Sequence, residues 1–149
     1  MTMMISTAIK LLSERNCSER DLRRRLEKEC ADLPELDQCI ESTIVRLREL
    51  HLINDNRLAE SLAQRYIHKG NRFITQALLQ KGVGEEVIAA ALVNLGDEYS
   101  RALDEARKKL GRKNARSPAE IKASLYRFLS GRGFSHDTIK AVVRQLCDA

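Results

Sequence analysis

Tryptophan is absent from the 149 residues, aromatic side chains make up only 4%, and proline occurs twice, at Pro34 and Pro118. A β-sandwich or barrel needs many turn residues and β-formers, so this scarcity argues against both. No apolar run approaches the roughly 18 residues of a membrane-spanning helix. The opening MTMMISTAIKLLSER lacks a basic leader and a small-residue cleavage site, and is expected to be a first helix rather than an export signal. A cytoplasmic location follows as an expectation. Cys17, Cys30, Cys39 and Cys147 form no C-x-x-C pair, and His51, His68 and His136 are scattered singly. Free thiols are therefore expected, with no metal or other cofactor. There is no phosphate-loop glycine pattern, no G-x-S-x-G and no H-E-x-x-H, so an enzyme is not expected. The acid pairs Glu85-Glu86 and Asp97-Glu98 fall at helix starts, where they complement the helix dipole.

What the chain does contain is helical periodicity. Ile5, Ala8, Leu11 and Leu12 make one stripe. Ser18, with Asp21 three residues on, caps a second helix bearing Leu22 and Leu26. Asp32 and Pro34 are expected to open a third, lined by Ile40, Ile44, Leu47 and Leu50. Asn54 and Asp55 then cap a helix carrying Leu58, Leu62, Tyr66 and Ile67, which Gly70 is expected to end in the left-handed conformation. Shorter helices stop at Gly82 and Gly96, and another at Gly111. Ser117-Pro118-Ala119-Glu120 is a capping box with proline at the first helical position.

These helices fall into repeats. Ile74, Leu78, Val83, Ile88, Ala91, Leu92 and Leu95 shift by 51 onto Leu125, Leu129, Phe134, Ile139, Val142, Val143 and Leu146. Leu22 and Leu26 match Ile74 and Leu78 at 52, whereas Ile40, Ile44 and Leu47 match Ile88, Leu92 and Leu95 at 48, which places a four-residue insertion within 30–39. The reading is an all-α fold of three tandem three-helix repeats, helix-turn-helix-like, elongated and free to curve. Repeat 1 spans 1–53, repeat 2 spans 54–96 and repeat 3 spans 97–149.

Charge rises along the chain. Residues 1–55 hold 9 basic and 11 acidic side chains, residues 56–96 hold 5 and 3, and residues 97–149 hold 12 and 7. A polyanionic partner met mainly by the last two thirds is implied. Arg107, Lys108, Lys109, Arg112, Lys113 and Arg116 put six cations in ten positions without one acid. Arg65, Lys69 and Arg72 form a second group, with Arg65 and Lys69 spaced to share a helical face. Lys81, Arg127 and Arg132 complete the candidate contact set. Arg23, Arg24 and Arg25 are diluted by Asp21, Glu27 and Glu29 and read as an ion-paired surface. Tyr66, Phe73, Tyr126, Phe128 and Phe134 fall on or beside the apolar stripes and are expected mostly in the core. Direct contact with single-stranded DNA would then be weak and indifferent to sequence.

Three segments carry a resemblance. Glu49-Leu50-His51-Leu52-Ile53-Asn54-Asp55-Asn56-Arg57-Leu58-Ala59, Gln76-Ala77-Leu78-Leu79-Gln80-Lys81-Gly82-Val83 and Arg132-Gly133-Phe134-Ser135-His136-Asp137-Thr138-Ile139 are similar, in this order, to motifs of the RecX family. That resemblance implies a negative modulator of the recombinase RecA, acting in homologous recombination, DNA repair and the SOS response; a monomer is expected on other grounds, since the stacked helices leave no long apolar stripe uncovered. It would bind the RecA–single-stranded-DNA filament and restrain its growth, ATP hydrolysis, strand exchange and co-protease activity. A general basic DNA-binding or nucleoid-associated protein is the alternative, and an interaction scaffold indifferent to DNA a third reading. His51 stands where the family often has glycine, so a less tightly turned junction or another backbone shape is expected there.

Overall fold

Capping and glycine chemistry set the helix ends in the computed structural model, which describes residues 2–111 and 117–147. Nine helices and no strand occur among them: α1 (Thr2–Glu14), α2 (Glu19–Glu29), α3 (Leu36–Glu49), α4 (Asp55–Arg65), α5 (Asn71–Gln80), α6 (Glu85–Asn94), α7 (Glu98–Leu110), α8 (Pro118–Gly131) and α9 (His136–Cys147). Ser18 Oγ accepts the Asp21 N–H at 3.2 Å, Asn54 Oδ1 that of Arg57 at 3.1 Å, and Ser117 Oγ that of Glu120 at 3.2 Å. Each satisfies an amide that the first helical turn leaves without a partner.

The C-terminal ends of α3, α5 and α8 share one hydrogen-bond pattern. Leu52 N–H reaches Leu47 O (2.9 Å), Val83 N–H reaches Leu78 O (3.1 Å) and Phe134 N–H reaches Leu129 O (3.2 Å). The residue before each donor has positive φ: His51 at 59°, Gly82 at 88° and Gly133 at 85°. These are Schellman motifs, which need the left-handed region at that position. His51 thus keeps the backbone shape that glycine would give, contrary to the expectation of a different turn there.

Three further expectations are corrected. α3 opens at Leu36 after a left-handed Glu35 with no side-chain cap, because 30–35 form turns; Pro34 lies in them and not at a helix start. Gly70 is not left-handed, since α4 already ends at Arg65 and turns follow; the absence of a side chain matters there for another reason, given below. For the same reason Lys69 lies beyond α4 and shares no helical face with Arg65.

The chain divides into two compact units. One comprises Met1–Ser61 with Leu78–Ile88, the other Leu62–Ala77 with Ala89–Ala149. In the first, α1, α2 and α3 pack together around Met4, Ala8, Leu22, Leu26, Ile40, Ile44 and Leu47. In the second, α7, α8 and α9 enclose Ala102, Ala106, Leu125, Leu129, Phe134, Ile139, Val142 and Val143. Burial of these side chains, at about 1.5–3 kcal/mol for each large one, is the main force holding either unit together.

The same joint is made once in each unit: Ser18 and Glu19 stand 52 before Gly70 and Asn71, Lys81 stands 51 before Arg132, and Asp55 and Glu98 are the first residues of α4 and α7. In the first unit the Ser18 hydroxyl donates to Lys81 O, and Asp55 Oδ1 accepts the Glu19 N–H at 3.0 Å. In the second, Gly70 N–H donates to Arg132 O at 2.7 Å, and Glu98 Oε2 accepts the Asn71 N–H at 2.7 Å. A Schellman turn is thus seated on the start of an earlier helix, whose amide is capped by an acid from the first residue of a later one. The seat is tight: a Cβ on Gly70 would lie 2.2 Å from Gly133 C and O and Phe134 N. Only glycine lets the two backbones approach so closely.

Candidate functional site

The basic residues of the second unit are organised by one buried acid and one ring. Glu105, on α7 and only 7% exposed, accepts from His68 Nδ1 at 2.8 Å. Lys108 Nζ lies 3.4 Å from its Oε2 and Arg132 Nη1 lies 3.5 Å from its Oε1. Burial pushes the Glu105 carboxyl up, but the hydrogen bond and charge of His68, with those of Lys108, hold it net below the usual carboxylate value. The acid therefore stays ionised and gathers nitrogen groups from three parts of the chain.

Phe128 on α8 supplies the second anchor. Arg132 Cζ stands 4.6 Å and Lys109 Nζ 5.2 Å from its ring centroid, both within cation–π range. A similar pairing places Lys69 Nζ 5.0 Å from the Phe73 ring, which Tyr66 meets edge-on at 5.2 Å. Of the five aromatics expected mostly in the core, only Phe134 is fully buried; Phe73 is exposed, and Tyr66, Tyr126 and Phe128 are half-buried. Rings at the surface are serving as platforms for cations.

Lys108, Lys109 and Arg132 are thus brought together. Arg72 donates its backbone N–H to Gly133 O at 3.2 Å, next to Arg132 in sequence, and its side chain is exposed. Arg65, Arg107 and Arg127 are exposed on α4, α7 and α8. Lys81 belongs to the other unit, where it is half-buried in the turn that receives Ser18. Arg112, Lys113 and Arg116 lie outside the described residues. In the first unit, by contrast, Arg23 pairs with Glu41, Arg25 with Glu14 at 3.3 Å and Arg48 with Glu19 at 2.6 Å, as dilution by acids implied for Arg23 and Arg25.

Three organising residues were not among the candidates. Arg101, buried, donates to Lys69 O at 2.8 Å and to Asn71 Oδ1, which fixes the segment bearing Lys69. Burial pushes its guanidinium down, against Glu98 and Asp97. Glu98 does more than complement a helix dipole: besides the Asn71 amide it accepts the hydroxyls of Ser135 (2.9 Å) and Thr138 (2.6 Å). The i, i+3 spacing of Glu105 and Lys108 was a readable signal for the third, though a weak one. Among the described residues no group of three or more His, Cys, Asp or Glu could hold a metal ion, the four cysteines are free, and no helix is long and apolar enough to cross a membrane.

Fold and surface together define an all-helical protein of three-helix domains with a basic side-chain cluster on the last of them. Comparison with known proteins makes the assignment specific. Residues 96–143 match the family model for the third three-helix domain of RecX, and residues 54–92 that for the second. A regulatory protein RecX of Chromobacterium violaceum is 34% identical over 137 residues, covering 91% of this chain and 86% of its own. That of Cronobacter sakazakii is 31% identical over 154 residues, covering 95% and 90%. A Clostridium perfringens relative is 28% identical, and 67% of its length is matched, so the chain spans about two thirds of it. The crystal structure of RecX from Lactobacillus salivarius superposes with a TM-score of 0.79 at 24% identity, over 97% of this chain and 95% of that one, which shows the shared fold. A second crystal structure, of a regulatory protein RecX, gives 0.71 at 27% identity over 95% and 71%. The chain belongs to the RecX family of regulatory proteins.

Proposed function

We propose that this chain is a negative modulator of RecA that binds the RecA–single-stranded-DNA filament and limits its growth, ATPase, strand exchange and co-protease activity. It works by binding alone, without catalysis or cofactor, as a cytoplasmic monomer. Its working parts are three repeats, 1–53, 54–96 and 97–149, with the filament met by the cations of the last two. The observation that carries this reading is the clustering of Lys108, Lys109 and Arg132 on Glu105 and Phe128 in a member of the RecX family. A fixed group of cations suits a surface that is polyanionic and repetitive, as a nucleoprotein filament is. The test is co-sedimentation with RecA filaments assembled on single-stranded DNA, comparing the wild type with a charge reversal at Arg107, Lys108 and Lys109. The wild type should pellet with filaments and the reversed form should not. Equal pelleting of both, or of neither, contradicts the reading.

A further inference from the structure

We propose that the hollow where the ends of α1 and α3 meet the start of α4 captures the C-terminal residue of a protein chain, one with an apolar last side chain and a cationic residue before it. The site lies wholly within the first unit and does not rest on the filament reading above.

The hollow encloses about 210 Å³. Its body is apolar: Cys17 and Ile53 are buried, and Leu12 and Leu58 half-buried. The polar residues lining it are Asn16, His51, Asn54, Arg57 and Ser61, all exposed. None of these is acidic, although residues 1–55 carry 11 acidic against 9 basic side chains. Elsewhere in the unit Arg23, Arg25, Arg46 and Arg48 are engaged by carboxylates. Among the described residues the Arg57 guanidinium and the His51 imidazole have no hydrogen-bond or ion-pair partner. Asn54, whose Oδ1 takes the Arg57 N–H at 3.1 Å, keeps its amide nitrogen to donate. His51 sits at φ 59°, a backbone conformation that disfavours an L side chain, so this imidazole is held at the rim against a backbone penalty. Unused donors gathered over an apolar body form an anion site with a hydrophobic pocket beneath it. A guanidinium takes a carboxylate through two parallel hydrogen bonds, and the positive end of the α4 dipole acts in the same sense.

Volume and surroundings decide which anion. The 210 Å³ exceeds the roughly 150 Å³ that holds a benzene and falls below the roughly 300–1,000 Å³ of pockets for drug-sized ligands. A nucleotide is too large, and inorganic phosphate would leave the apolar body empty. An aspartate or glutamate inside a chain brings a carboxylate with no apolar group of its own, whereas a C-terminal leucine brings both from one residue. A second hollow, of about 280 Å³, shares His51, Ile53 and Asn54 with the first and adds Glu19, Arg48 and Asp55. Glu19 commits one oxygen to Arg48 at 2.6 Å and Asp55 one to the Glu19 amide at 3.0 Å, which leaves the other oxygen of each to accept. Two acids against one base suit a cation on the preceding residue. Adjoining hollows of opposite charge preference fit consecutive residues of an extended chain end, whereas a free small acid would use only the first.

The test is fluorescence anisotropy of the full chain with a fluorescein-labelled hexapeptide that ends in Lys-Leu with a free carboxyl. It is set against the same peptide as its C-terminal amide, a peptide ending in Glu-Leu, and isocaproate as an unlabelled competitor. The wild type should bind the free acid about ten-fold more tightly than the amide, the effect of losing a charge-assisted hydrogen bond. Arg57→Gln should weaken the free acid about ten-fold and leave the amide within about two-fold. His51→Gly, which supplies the residue best suited to that backbone and so preserves the fold, should weaken the free acid about three-fold. Arg24→Gln, the same charge loss on α2 outside both hollows, should change binding by less than about two-fold, and circular dichroism should show all variants folded. The Glu-Leu peptide should bind about three-fold more weakly than Lys-Leu. Equal binding of acid and amide, or wild-type affinity in Arg57→Gln, would overturn the carboxylate site. Equal binding of the Lys-Leu and Glu-Leu peptides would overturn the role of the second hollow. Displacement of the peptide by an equal concentration of isocaproate would overturn the proposal in favour of a free small acid. Failure of the wild type to bind the free-acid peptide at millimolar concentration would overturn it outright.

Discussion

Replacing Gly70 with alanine puts a methyl group where two backbones touch. The new Cβ would lie 2.2 Å from three backbone atoms of Gly133 and Phe134, and neither side can yield by rotating a side chain. The turn must lift, which endangers Gly70 N–H to Arg132 O (2.7 Å) and Arg72 N–H to Gly133 O (3.2 Å). Two net hydrogen bonds at about 1 kcal/mol each, with about 1–3 kcal/mol for overpacking, give a cost of roughly 3–5 kcal/mol. That is a large share of an ordinary stability of about 5–15 kcal/mol. Tyr66, Tyr99 and Tyr126 all lie in the second unit and there is no tryptophan, so tyrosine fluorescence during urea unfolding reports on that unit directly. Gly131→Ala is the control: it ends α8, a Cβ there meets nothing within 4 Å, and alanine should be neutral or up to about 1 kcal/mol stabilising. A Gly70→Ala midpoint equal to that of wild type would refute the close-approach argument.

Other consequences separate the two joints. Burial raises the Glu98 carboxyl, but bonds from Thr138, the Asn71 amide and Ser135 hold it net below its ordinary value. A depressed carboxylate contributes stability that is present above its unfolded pKa and lost as pH falls through its folded one. Glu98→Gln should therefore cost about 1–2 kcal/mol at pH 7, and urea titrations repeated in acid should show that penalty disappear. Asp55 at the equivalent joint is raised, with burial outweighing the Glu19 amide, so its charge opposes folding at neutral pH and protonation relieves it. Asp55→Asn, which keeps an acceptor oxygen, should accordingly be neutral or stabilising in the same assay at pH 7. His51→Gly should stabilise by about 0.5–1 kcal/mol, because the left-handed conformation at φ 59° costs an L-residue about 1–2 kcal/mol, partly offset by the entropy glycine loses. A destabilised His51→Gly in thermal melts would show that the His51 side chain outweighs backbone strain.

The helical skeleton was legible because its determinants are local. Leu22, Leu26, Ile74, Leu78, Leu125 and Leu129, aligned by offset alone, are all fully buried. Ser18, Asn54 and Ser117 cap the helices that their types implied. Gly70 misled because glycine is used for two reasons, positive φ and absence of a side chain, and sequence does not say which; here the partner backbone comes from Gly133, 63 residues later. The candidate cations were legible as charge, whereas their arrangement was not. Glu105, His68 and Arg132 meet only through folding, and no spacing rule joins residues so far apart. Arg101 and Glu98 escaped notice for a related reason: buried charges that organise backbone look like any surface charge until the fold covers them.

The most direct test of the account is the DNA-dependent ATPase of RecA on single-stranded DNA with this chain titrated in. Inhibition well below one molecule per RecA subunit is the predicted result, since a regulator that halts filament growth acts through few sites. Inhibition only when the chain is abundant enough to cover the DNA, or no inhibition at all, would contradict it.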